Sequence, residues 1–123
     1  MRNILIVDDE PENRALVSLV LKDAGYSVFE ATNGTDGLDL IRKRLEPFNL
    51  IILDIHMPQM DGFEFLYRLR RHERSLTPVL VLTAHEVTED KAKDCGADEC
   101  LAKPFQRKAF VEIVNHLADS RMI

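Results

Sequence analysis

Three short segments, Ile4 to Val7, Leu50 to Leu53 and Val79 to Leu82, are apolar at every position and stop at polar residues. Four residues are too few for a buried helix, and without alternation each must be a strand covered on both faces. With Asn3 added to the first, the predicted strands are Asn3 to Val7, Val28 to Ala31, Leu50 to Leu53, Val79 to Leu82 and a short Cys100-Leu101-Ala102 segment. Helical spacing between them puts Ala15, Leu16, Leu19 and Val20 on one stripe, Leu38, Ile41 and Leu45 on a second, and Phe65, Leu66 and Leu69 on a third. Thr88 to Cys95 predicts a fourth helix with little apolar face. In the fifth, Phe110, Ile113, Val114 and Leu117 recur at helical spacing opposite Arg107, Lys108, Glu112 and Asn115. Strict alternation of strand and helix implies a doubly wound α/β domain, a parallel sheet wrapped by helices through right-handed crossovers.

Punctuation agrees. Gly25 and Gly96 stand where helices end, Asp61 with Glu64 resembles a capping box, and Gly37, at roughly 1 kcal/mol relative to Ala, predicts close packing inside the second helix. The chain of 123 residues is one domain's length, so the expected unit is 1–123, with the last helix ending near Ala118 and a short tail over 119–123.

Sixteen Lys and Arg against 21 Asp and Glu give a net charge of -5, which disfavours direct nucleic-acid binding. The first apolar run is cut off by Asp8-Asp9, too short for a signal peptide, and nothing later approaches a membrane span, so the expected location is cytoplasmic. Cys95 and Cys100, five apart, match neither a redox pair nor a zinc knuckle. The four histidines form no helical metal pair.

Polar residues gather where the strands end: Asp8 and Asp9 after the first, Asp54 after the third, Thr83 after the fourth and Lys103 after the fifth. In a doubly wound sheet that edge is where ligands bind. Taken singly, Asp8 and Asp9 suit a helix cap, Thr83 a turn and Lys103 a solvated surface. Together, carboxylates about 5 Å apart repel by roughly 3 kcal/mol at an effective dielectric near 20, and a cation relieves that. Oxygen donors without clustered thiols or imidazoles suit Mg²⁺ or Mn²⁺. A carboxylate beside a divalent ion and a fixed lysine can attack phosphorus, leaving an acyl phosphate.

Ile6-Val7-Asp8-Asp9-Glu10, Leu53-Asp54-Ile55-His56-Met57-Pro58 with Asp61-Gly62, Leu82-Thr83-Ala84 and Lys103-Pro104-Phe105, in this order, resemble the receiver domains of response regulators in two-component signalling. The resemblance covers nearly the whole chain and implies a five-stranded sheet in the flavodoxin-like order 2-1-3-4-5 with five flanking helices. It implies Asp54 as phosphoacceptor, and Mg²⁺ held by Asp9, Asp54 and the His56 backbone carbonyl, with Asp8 acting largely through water. It further implies Lys103 beside the phosphoryl group, Thr83 as hydroxyl donor to it, and a cis Lys103-Pro104 peptide. The donor would be phosphohistidine on a sensor histidine kinase or histidine phosphotransfer protein. Output would pass through the face of helix four, strand five and helix five to a partner or fused output domain, without direct nucleic-acid or membrane contact. The domain would catalyse only its own phosphoryl transfer and dephosphorylation.

Family members commonly carry Tyr or Phe three residues before the lysine, and here that residue is Cys100. His56 and His85, each two residues beyond a site residue, are expected to look over the phosphoryl group or simply to be exposed. A phosphate-independent module of the same fold would normally lack part of the acidic set or Lys103, and all are present. An aspartyl phosphohydrolase would carry a second Asp two beyond Asp54, where His56 stands. A nucleotide or flavin module would need a glycine-rich phosphate loop, and only Gly34 and Gly37 come near one.

Overall fold

The computed structural model describes residues 2–83, 89–94 and 96–119. Strands and helices alternate as β1 (Asn3–Val7), α1 (Pro11–Asp23), β2 (Ser27–Ala31), α2 (Gly34–Lys43), β3 (Leu50–Asp54), α3 (Gly62–Arg71), β4 (Val79–Thr83), α4 (Glu89–Asp94), β5 (Glu99–Ala102) and α5 (Arg107–Asp119). All pairings are parallel, in the order β2-β1-β3-β4-β5. This is the doubly wound architecture expected from the apolar runs. Thr88 and Cys95, the expected ends of the fourth helix, lie outside the described residues.

Side chains alternate across the sheet, so each apolar run feeds two cores. Leu5, Val7, Ile51, Leu53, Val79 and Val81 pack with Phe65, Leu66 and Leu69 of α3 and Leu38 of α2. On the other face, Ile4, Ile6, Leu50, Ile52, Leu80 and Leu82 meet Val17 and Leu21 of α1 and Phe110, Val114 and Leu117 of α5. Gly37 brings α2 close to the first core, since a Cβ there would stand 3.0 Å from Val7 and 3.2 Å from Phe65.

Two helical stripes differ from expectation. In α1 the buried residues are Val17, Ser18 and Leu21, while Leu16 and Leu19 are 60% and 66% exposed. Apolar residues run nearly all round this helix, so periodicity alone does not choose a face, and contact with β1 and α5 does. In α2 the helix stops at Lys43 and Leu45 is fully exposed. Arg44 turns extended instead and lays its guanidinium over Phe29 and Phe48, 4.6 and 4.4 Å from the ring centroids. Pro47 disfavours helical geometry at Glu46, so the helix has little room to continue.

The predicted caps form. Gly25 and Gly96 have φ of 98° and 110°, and the Asp61 carboxylate accepts from the Glu64 N–H at 2.9 Å. One clamp was not legible in sequence. Arg70 of α3 donates to the carbonyls of Ser75, Thr77 and Gly96 and pairs with Asp98, whose carboxylate accepts from Val79 N. A single guanidinium thereby ties α3 to the starts of β4 and β5. Arg70→Ala should lower stability by about 2 kcal/mol, because it removes donors from several backbone carbonyls at once. Arg70→Lys should recover only part of that loss. Urea denaturation midpoints check both.

Candidate functional site

Because β2 lies on one side of β1 and β3 on the other, the chain reverses direction across the sheet between β1 and β3. A crevice opens beyond their carboxyl ends. Asp54 is the last residue of β3, in register with Leu82, and Asp8-Asp9 follow β1 directly. Asp8, Asp9 and Asp54 each offer a carboxylate oxygen, and these atoms all lie within 4.8 Å of one another. Asp8 and Asp54 are buried.

The partners come from the adjoining strands. Thr83 ends β4, fully buried and in register with Ala102, and its carbonyl accepts from Lys103 N at 2.8 Å. That bond sets Lys103 beside the crevice, with its Nζ 4.0 Å from Asp54 Oδ1. The Lys103-Pro104 peptide is cis, as the resemblance implied. Asp54 Oδ1 also accepts from His56 N at 3.2 Å, while the His56 side chain is exposed. His85 lies outside the described residues. Cys100 sits in β5 opposite Val81, partly buried against the core on the α3 side.

Two supports complete the site: Arg14, which was not singled out from sequence, and Gly62, which was named with Asp61 but given no role there. Arg14, one turn into α1, donates to the Asp8 carbonyl at 2.8 Å and pairs with Glu30 at 3.3 Å, anchoring the β1–α1 turn to β2. Gly62 donates to the Ile55 carbonyl at 2.9 Å, and a Cβ there would stand 2.7 Å from Ile55 Cα and 2.8 Å from the Asp54 carbonyl.

Electrostatics show what the crevice lacks. Burial, with the nearby charges of Asp54 and Asp9, pushes the Asp8 carboxyl up to about 6, although the Glu10 N–H and Lys103 oppose the shift. Asp9 Oδ1 is buried without a hydrogen-bond partner among the described residues. A buried, unsatisfied carboxylate oxygen facing two more carboxylates is the donor set of a hard divalent cation such as Mg²⁺, so the residues present fit that ion.

The response regulator receiver domain family matches residues 4–115, and the chain belongs to that family, a receiver domain of two-component signalling. It is 46% identical over 108 residues to the DNA-binding dual master transcriptional regulator RpaA of Synechocystis, covering 85% of this chain and 44% of that protein. It is 41% identical over 105 residues to the sensor protein EvgS of Escherichia coli, covering 84% of this chain and 8% of that one. The chain thus spans less than half the length of these two relatives. Among solved structures, response regulator TrrA of Thermotoga maritima in complex with Mg²⁺-BeF superposes with a TM-score of 0.84 at 32% identity, covering 95% of this chain and 99% of that one.

The raised Asp8 value carries a sign. A carboxyl at about 6 in the fold and 3.8 unfolded destabilises the metal-free protein fully above pH 6, and the penalty fades as pH falls toward 4. Asp8→Asn should therefore raise the Tm in EDTA at about pH 7.5 by about 4 °C, corresponding to ~1 kcal/mol, part of the gain being offset by burial of the amide. The difference from wild type should shrink at about pH 4.5, which paired thermal melts measure.

Proposed function

We propose that this receiver is a phosphorylation-dependent switch in which Asp54 accepts a phosphoryl group from phosphohistidine on a sensor kinase or phosphotransfer protein. The observation that carries the reading is the convergence of Asp54, the orphaned Asp9 oxygen and Lys103 at one strand edge. The Asp54 carboxylate attacks phosphorus as the bond to the imidazole nitrogen breaks; with the other ring nitrogen of the phosphohistidine protonated, the electron pair leaves on a neutral imidazole and an acyl phosphate remains here. Asp9 and Asp54, with the His56 carbonyl and Asp8 through water, would hold Mg²⁺, which supplies charge neutralisation for the phosphoryl oxygens. Lys103 approaches Asp54 from the side of β5 and pairs with the transferring group.

Thr83 ends β4, so a hydroxyl drawn to the phosphoryl group carries the input from the site into that strand. The α4–β5–α5 face then presents the change to a partner or to a fused output domain. The named relatives include a DNA-binding regulator and a sensor protein, which illustrate both settings for such a domain. Cys100, small where the family commonly has an aromatic ring, gives this face a different internal packing for the same input.

Incubation with a small-molecule phosphodonor and Mg²⁺ should add one phosphoryl mass to the wild-type chain and none to Asp54→Asn. EDTA should abolish labelling, and Lys103→Ala should slow it by about 100-fold or more. A stable adduct on Asp54→Asn, or none on wild type, would refute the reading. Mg²⁺ should raise the wild-type Tm more at about pH 7.5 than at about pH 5, because Asp8 takes up a proton through the intervening range. Asp9→Asn should lose most of that metal-dependent rise at either pH.

A further inference from the structure

The pole of the domain opposite Asp54 carries a feature that phosphoryl transfer does not use. The α2–β3 and α3–β4 connections precede strands β3 and β4, so they lie at the other edge of the sheet from the acidic crevice. Between them is a cavity of about 400 Å³ whose lining includes Ile41, Phe48, Leu45, Leu76, Arg44 and Arg74. Leu45 is 102% exposed and Leu76 87%, the two most exposed large apolar side chains among the described residues. Neither contributes to a core.

Charge at this groove runs against the rest of the chain. The protein carries a net charge of -5, yet two arginines and no carboxylate line the cavity. Arg44 is already ordered, stacked over Phe29 and Phe48 with its Nε bonded to the Glu46 carbonyl at 3.2 Å, so a ligand need not immobilise it. Arg74 holds φ at +53°, a left-handed conformation in which an L side chain is strained, and no ion pair engages it among the described residues. Glycine is the residue that this backbone favours.

We propose that this groove is a docking site for an acidic segment of a partner protein that inserts apolar side chains between Leu45 and Leu76 and places carboxylates on Arg44 and Arg74. Charge complementarity selects the occupant, since a basic, apolar concavity on an acidic protein rejects basic segments and most of its own surface. Because the groove lies at the opposite edge of the sheet from Asp54, a partner seated there leaves the acidic edge open and can serve as a tether.

The test uses the full chain, ¹⁵N-labelled, titrated with a synthetic peptide alternating Leu and Phe with Glu. Control peptides replace Glu by Gln or the apolar residues by Ala. Amide shifts should centre on 41–48 and 74–77, and either control should weaken binding by about tenfold or more. Arg74→Gly should retain or raise the Tm while weakening binding by a similar factor, and Leu76→Ser should weaken it without changing the Tm. Asp54→Asn should bind as wild type does, so failure of phosphorylation would leave this result standing. Absent or scattered shifts, or equal binding of the Gln peptide, would overturn the proposal. So would binding confined to phosphatidylglycerol vesicles, or concentration-dependent shifts of the same amides without peptide, which would mark a lipid surface or a second copy of the chain.

Discussion

Parallel pairing of β1, β3 and β4 is the constraint on which the rest of the molecule depends. Parallel strands all end at the same edge, so whatever follows each apolar run is delivered to one line of positions. Because both faces of the sheet are covered, those strands do not slide. A shift of one residue would turn Ile51 and Leu53 away from α3 and exchange the two cores. The rigidity that burial confers on Leu53 is therefore inherited by Asp54.

At that edge the fold holds a charge arrangement that it does not satisfy by itself. Asp8 is kept partly protonated toward neutral pH by burial and by its acidic neighbours, and Asp9 keeps a buried oxygen without a donor. Surrounding groups prevent relaxation: Arg14 grips the Asp8 carbonyl, Gly62 presses α3 against the chain beyond Asp54, and Thr83 positions Lys103 through its carbonyl. Local destabilisation offset by a well-packed core is a common arrangement at functional sites. It leaves the site short of positive charge.

The two poles are opposed in character. One is acidic, narrow and built from strand ends. The other is basic and apolar, built from connections that follow the ends of α2 and α3. Between them run β3 and β4, whose side chains are buried, so a ligand at one pole has no steric conflict with a ligand at the other.

Strand positions, the order of elements and the identities of Asp8, Asp9, Asp54, Thr83 and Lys103 were legible because they depend on local pattern: continuous apolar runs, a polar residue at each end, and glycine or Asp at helix boundaries. The exposed faces of α1 and the end of α2 were not. Apolar residues on several sides of α1 leave the buried face to be chosen by β1 and α5, and Leu45 fits a helical stripe that stacking of Arg44 on Phe29 and Phe48 displaces. Arg70 and Arg14 look like ordinary helix-surface arginines until the chain folds, because their acceptors are backbone carbonyls elsewhere in the chain. Sequence by itself determined a doubly wound sheet with acids, a threonine and a lysine at its strand ends, since each of those follows from neighbours along the chain. Only the tertiary structure decided that three carboxylates meet within one cation's reach, that Asp9 is left unsatisfied, and that Leu45 and Leu76 face one groove. Those are relations between segments far apart in sequence, set by packing across the sheet.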